Sequence, residues 1–211
     1  MSDPIIDEPT PVDTLESGTV YNGRVWDVVS ERFRYNDEVL TRDFITHPGA
    51  VAVMAFDDQD RFVTIKQYRH PVRLREWEIP AGLLDLEGEH PLASAQRELA
   101  EEVDLAAATW HVLADYCTSP GGSDEAIRVY IARDLAPAVH TFERTGEEAD
   151  MVVRWISLDD AVDAVLDGRV SNSIFQIAVL TALASRDRGW STLRPGDAPW
   201  PQVDWRDARR T

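Results

Sequence analysis

The chain has 211 residues, 44% of them hydrophobic and 9% aromatic; this is enough for one large domain or two small ones with a buried core, and it excludes disorder throughout. With 21 Lys and Arg against 38 Asp and Glu the net charge is −17, which argues against nonspecific binding to nucleic acid or to an anionic membrane. An anionic substrate remains open, because clustered carboxylates recruit divalent cations that in turn hold phosphate.

In chain order, residues 1–16 carry Pro4, Pro9, Pro11 and five acidic residues without periodicity, which predicts a loose arm. Residues 20–35 and 39–46 alternate and are rich in β-branched and aromatic types, as strands are. The continuous apolar run 49–56 predicts a strand buried on both faces. The turn Asp57-Asp58-Gln59-Asp60 predicts a hairpin between it and a strand over 62–68. Another short strand is expected over 77–80. In 91–103, Leu92, Ala95, Leu99 and Val103 form one helical stripe behind Pro91, which suits the first turn. Strands over 110–116 and 126–132, a polar loop over 141–150 and a strand over 151–156 follow. Helices are expected over 158–166 and 174–185, with Gly168 and Gly189 just past their ends. The tail 195–211 shows no periodicity. Many strands with helices interspersed predict an α+β fold, an αβα sandwich. The single Cys117 rules out an internal disulfide and suits a reducing compartment. No apolar run approaches the roughly 20 residues of a membrane span. Residues 1–12 are unlike a signal peptide, so a cytoplasmic protein is expected.

On the 91–103 helix, Glu98 and Glu102 fall within about 40° of each other and Glu101 about 60° away from Glu98. Like charges at this spacing destabilise a bare helix, by roughly 0.2–0.5 kcal/mol per pair. A divalent cation would reverse the sign. The other reading is a solvated acidic face in an acidic protein.

The stretch from Gly82 through Glu89 to Arg97-Glu98-Leu99-Ala100-Glu101-Glu102-Val103-Asp104-Leu105 resembles the Nudix box, G-x5-E-x7-R-E-U-x-E-E-x-G-U with U a bulky apolar residue. It departs in two places: Gly82 stands one residue early, and Asp104 stands where the pattern has glycine. Glycine at such a place ends a helix in the left-handed region, which Asp enters at some cost. The resemblance implies that Glu98, Glu101 and Glu102 ligate Mg²⁺ or Mn²⁺, with the Ala81 carbonyl as a further ligand. It implies too that Arg97 holds Glu89 or a ligand carboxylate in place, while Gly82 and Glu89 are structural. Members hydrolyse a nucleoside diphosphate linked to a further group.

Three stretches resemble the ADP-ribose pyrophosphatase branch: Gln67-Tyr68-Arg69, Glu78-Ile79-Pro80-Ala81-Gly82, and the loop Ser119-Pro120-Gly121-Gly122-Ser123-Asp124-Glu125. They make Arg69, Glu78, Pro120 and Glu125 candidates for substrate contact; Glu76, like Glu78, could accept hydrogen bonds from ribose hydroxyls or adenine, Glu78 being alternatively a structural cap. Trp26 or Phe33 could stack on adenine or pack in a dimer or core. The run Glu147-Glu148-Ala149-Asp150 resembles the late acidic loop that supplies the general base, Glu148 first and Glu147 second. The implied function is hydrolysis of ADP-ribose or a related ADP-sugar to AMP and a sugar phosphate. The alternatives are another nucleoside-diphosphate-sugar or dinucleotide diphosphatase, or a non-catalytic nucleotide sensor. Members of the branch are homodimers, so a dimer is expected, with no nucleic-acid or membrane partner. The implied organisation is a flexible arm over 1–16, N-terminal strands for dimerisation and substrate over 17–48, the hydrolase domain over 49–189 and a tail over 190–211.

Overall fold

The structure, a computed structural model, describes residues 4–140, 142, 144, 146 and 149–207, the last three by backbone alone. Three N-terminal strands, β1 (Asp13–Asn22), β2 (Asp27–Tyr35) and β3 (Glu38–Thr46), form an antiparallel meander. Asn36 takes a φ of 52° in the two-residue turn between β2 and β3, a conformation Asn tolerates. Pairing with β2 draws Asp13–Glu16 into β1, so the segment read as a loose arm gives up its last four residues to a strand.

Then come β4 (Ala50–Ala55), β5 (Arg61–Arg69), β6 (Leu74–Glu78), β7 (Ala81–Leu83) and the helix α1 (Pro91–Val103). They are followed by β8 (Leu105–Cys117), β9 (Ala126–Pro137), β10 (Val152–Ser157), α2 (Leu158–Leu166) and α3 (Ser173–Arg186). The chain closes with β11 (Arg194–Pro195) and α4 (Pro201–Asp207). The larger sheet has the order β11-β8-β9-β4-β7 and the smaller β10-β5-β6. The expected hairpin of β4 with β5 does not form. Both edges of β4 are already taken, by β9 in parallel and β7 antiparallel. The Asp57 turn therefore carries the chain into the second sheet, and the two strands meet at a single bridge, Phe56 to Phe62.

Alternation along β4 explains the layering. Val51, Val53 and Ala55 face Ala95, Leu99 and Val103 of α1. Ala52 and Met54 face the opposite way, packing with Leu158 and Ala161 of α2 and Phe175 and Ala178 of α3. A strand covered on both faces needs the unbroken apolar run seen in the sequence. The fold is an αβα sandwich, as expected.

The tail, expected to be featureless, forms β11 and α4 and is held by a buried charge network. Arg128, 1% exposed, makes a two-pronged pair with Asp115, at 2.7 and 2.9 Å. Its remaining N–H groups donate to the carbonyls of Ala198 and Pro199 at 2.7 and 2.8 Å, and Trp200 stacks 4.8 Å from its guanidinium. Arg194 adds a second donor to Asp115 at 2.8 Å. Sequence periodicity is blind to this arrangement, because the groups lie about 70 residues apart and share no local pattern.

Removing one partner strands the other charge in the interior. Asp115→Ala is expected to lower the unfolding free energy by about 3–5 kcal/mol, measured by urea denaturation.

Candidate active site

Helix α1 begins at His90, whose Nδ1 accepts the Leu92 N–H at 3.2 Å, with Pro91 in the first turn. Burial of Ala95, Leu99 and Val103 orients the helix so that its carboxylate edge faces β7. Glu102 is 4% exposed, and its Oε2 accepts the Ala81 N–H at 2.8 Å. Glu98 lies against Gly82 so closely that a Cβ on that residue would stand 1.9 Å from the Glu98 Cδ. The glycine is therefore required by close approach of a side chain, since its φ is not positive.

Arg97 gathers the remaining carboxylates. Its Nε and Nη2 bind both oxygens of Glu89, at 3.1 and 3.0 Å. Its Nη1 donates to Glu98 at 2.5 Å and to Glu101 at 3.2 Å. Arg97 thus pairs both with Glu89 and with Glu98 and Glu101, two of the carboxylates expected as ligands. These bonds hold the Glu89 carboxyl below its ordinary range and keep the Arg97 guanidinium charged.

As they stand, no three His, Cys, Asp or Glu side chains among the described residues form a ready metal cage. The donor chemistry nonetheless fits a hard divalent cation. Glu98 and Glu101 converge on one nitrogen of Arg97, Glu102 is buried on the same helix, and the missing side chain of Gly82 makes room for Glu98. These are oxygen donors, the kind Mg²⁺ and Mn²⁺ prefer. Ala81 is tied to the cluster through its N–H.

Of the substrate candidates, Glu78 is 1% exposed and gives both oxygens to Arg69, at 2.8 and 2.7 Å, with Gln67 at 3.3 Å. This is the structural reading of Glu78: it orients Arg69, whose side chain is 39% exposed. Glu76 accepts the Ser171 hydroxyl at 2.9 Å. Pro120 is exposed in the β8–β9 loop. Glu125 accepts the Thr118 hydroxyl at 2.7 Å and stands 3.6 Å from His47. Burial and the Glu125 charge push the Tyr116 hydroxyl upward.

That loop is laced to the end of β3. The Ile45 N–H donates to Gly122 at 2.9 Å, the Asp124 N–H to Ile45 at 3.0 Å, and the His47 N–H to Asp124 Oδ1 at 2.7 Å. Sequence reading passed over His47 and Asp124, whose roles come from a contact 77 positions apart. A cavity of about 350 Å³ opens beside them, lined by Trp26, Asp27, Thr46 and His47 among others. Trp26 is 41% exposed there, whereas Phe33 is half-buried on β2. Glu147 and Glu148 lie outside the described residues.

A NUDIX domain model matches residues 46–175. An ADP-ribose pyrophosphatase of Mycobacterium tuberculosis is 42% identical over 189 residues, which is 89% of this chain and 90% of that one. A methanol dehydrogenase activator of Bacillus methanolicus is 34% identical over 79% of this chain and 89% of its own. An ADP-ribose pyrophosphatase of Bacillus subtilis is 33% identical over 72% and 82%. Among solved structures, an ADP compounds hydrolase superposes with a TM-score of 0.69 at 20% identity, covering 87% of this chain and 99% of that one; this likeness shows the fold.

Gly82→Ala is expected to spare the fold, since the Glu98 side chain can swing aside, yet to lower kcat by roughly 10²-fold by misplacing that carboxylate. Steady-state kinetics beside a melting curve check it. The Glu89 carboxyl, held low by Arg97, contributes stability above its ordinary value of 4.5 and loses it as pH falls through its folded value. Glu89→Gln is therefore expected to be less stable than the parent at neutral pH, with the gap closing in acid when melting temperatures are compared across pH.

Proposed function

The chain belongs to the Nudix family as a Nudix hydrolase, and from that premise we propose that it is a divalent-metal-dependent diphosphatase cleaving ADP-ribose to AMP and ribose 5-phosphate. The observation that carries the reading is the Arg97 cluster on α1: Glu98 and Glu101 share one Arg97 nitrogen, Glu98 lies against Gly82 of β7, and buried Glu102 accepts the neighbouring Ala81 N–H. The two relatives named ADP-ribose pyrophosphatase, one of them 42% identical over nearly the whole chain, support the substrate.

Glu98, Glu101 and Glu102, with the Ala81 carbonyl, would hold Mg²⁺ or Mn²⁺, which when bound neutralises charge developing on the diphosphate. Arg97 keeps Glu98 and Glu101 in register through its grip on Glu89, and would let go of one or both as cation replaces it. Arg69, oriented by buried Glu78, presents its guanidinium for a diphosphate oxygen or the terminal ribose. Glu76, Pro120 and Glu125 shape the ribose and phosphate walls. Glu148, with Glu147 second, takes a proton from the water whose oxygen attacks one phosphorus; the bond from that phosphorus to the bridging oxygen breaks, and the other phosphate monoester leaves with that oxygen, giving AMP and ribose 5-phosphate.

A homodimer completes the reading. The N-terminal sheet leaves Val20, Tyr21, Val25, Trp26, Tyr35 and Val39 between 41% and 63% exposed, more apolar surface than a lone meander sustains. Trp26, at the rim of its cavity, then serves as an adenine platform. No helix of the described residues is long and apolar enough to cross a membrane, and together with the lone cysteine this supports a cytoplasmic location.

A panel of ADP-ribose, other ADP-sugars, other nucleoside-diphosphate sugars and dinucleotides, assayed for AMP release with Mg²⁺ or Mn²⁺, tests the reading. ADP-ribose is expected to lead, with turnover abolished by EDTA and lowered roughly 10³-fold or more by Glu102→Gln. Glu148→Gln is expected to lower kcat by roughly 10²–10⁴-fold at nearly unchanged KM. Turnover in excess EDTA, or no turnover of any member, would overturn it.

A further inference from the structure

Three of the chain's cations meet at a cavity away from the metal carboxylates. It holds about 260 Å³ between β6 and the turn that joins α2 to α3, and is lined by Lys66, Arg75, Glu76, Trp77, Arg169 and Ser171 among others. Alternation along β5 sets its floor. Val63 and Ile65 turn toward α1 and Phe62 toward α2 and α3, so Lys66, in step with Phe62, lies on the α2–α3 face of the small sheet. Trp77 is its cross-strand partner and packs against the same core. Lys66, the only lysine of the chain, is partly buried, and its ammonium lies 5.4 Å from the centre of the Trp77 ring. No carboxylate among the described residues pairs with it. Arg75 reaches Asp150 at 3.0 Å and Arg169 reaches Asp167 at 3.1 Å, both through exposed side chains. Such pairs are weak in water, and an incoming anion can displace them. Glu76 is already engaged with the Ser171 hydroxyl at 2.9 Å. Just beyond Ser171, α3 starts behind the Asn172 cap with no acidic residue in its first turn, so its positive pole adds to the field.

We infer that this cavity is a second ligand site, one that takes the phosphate monoester of a small polyol such as a sugar phosphate. In a chain of net charge −17, its lining carries three positive side chains against one negative. That surplus matches a phosphate monoester, which bears about −1.5 to −2 at neutral pH; a carboxylate would leave part of it unanswered. Two guanidinium planes from different elements suit the phosphate oxygens, and Lys66 adds a compact point charge. The volume lies below the roughly 300–1,000 Å³ of sites for drug-sized ligands, which leaves room for a phosphate and one sugar but not for a whole dinucleotide. The Ser171 hydroxyl and the Glu76 carboxylate are the groups that a sugar hydroxyl can meet. Glu76 is also a candidate for substrate contact, so the second site borders the first along β6 while Lys66 and Trp77 lie on the far face of the sheet from α1.

The single lysine makes a site-specific test available. Reductive methylation with isotope-labelled formaldehyde marks Lys66 and the N-terminal amine alone, and it keeps the charge. The labelled full chain is titrated with ribose 5-phosphate and followed by NMR, in EDTA so that no metal holds the ligand at the carboxylates of α1. A saturable shift of the Lys66 signal is expected, absent with ribose and with sodium chloride at equal ionic strength, and weaker with inorganic phosphate. Arg169→Ala, a change at an exposed side chain, is expected to weaken binding roughly tenfold, the effect of losing one charged hydrogen-bond donor. Lys66→Gln, followed by calorimetry, should weaken it by a similar factor, whereas Glu102→Gln should bind as the parent does. A shift that never saturates, one that chloride reproduces, or unchanged affinity in both Arg169→Ala and Lys66→Gln overturns the inference. Loss of binding in Glu102→Gln overturns it too, since the ligand would then sit at the α1 carboxylates. Inorganic phosphate bound as tightly as ribose 5-phosphate overturns the assignment of a polyol.

Discussion

One guanidinium holds the site together. Arg97 binds Glu89 with two bonds and reaches Glu98 and Glu101 with a third nitrogen. Without that charge, Glu98, Glu101 and buried Glu102 would repel one another along a single helix edge in a chain of net charge −17. The arginine and the Ala81 N–H supply the compensating interactions. A divalent cation can then take over from part of that set, since the carboxylates are already gathered. Electrostatic preorganisation of this kind is what phosphoryl chemistry draws on most.

The surrounding fold serves to keep β7 and α1 in contact. Strand β4 is central, with Val51 opposite Gly82 on one side and Arg128 on the other. Its alternate residues are buried under α1 or under α2 and α3. The row Gly82, Val51, Arg128, Asp115 runs across four strands, so the buried pair that clasps the C-terminal tail shares the register of the glycine that meets Glu98. A tight row transmits any misfit, because packed interiors deform little.

The two places where the chain leaves the Nudix pattern have different physical consequences. The additional residue between Gly82 and Glu89 falls in the loop before the helix, where added length costs little, and the glycine still meets Glu98. Asp104 instead changes the charge at the helix end and acquires a partner in Arg144. One departure is absorbed locally; the other creates a tertiary contact.

Local patterns determined a good deal of this protein. The 3.6-residue stripe and Pro91 set α1 to the residue, the apolar run of β4 announced a strand covered twice, and the spacing of Glu98, Glu101 and Glu102 set them along one side of that helix. The first two rest on interactions between neighbours in sequence, whose periods are geometric constants of helix and strand. Tertiary structure alone decided the rest. The partners of β4 displaced β5 into a second sheet, the Arg128–Asp115 pair gave the tail its structure, and Arg69 claimed Glu78. His47 and Asp124 joined the β8–β9 loop to the N-terminal strands. Each of these depends on which distant groups share a dry, close-packed space, and there a charge without a partner costs several kcal/mol. A sequence shows which charges exist; only the folded chain shows which pairs have been removed from water.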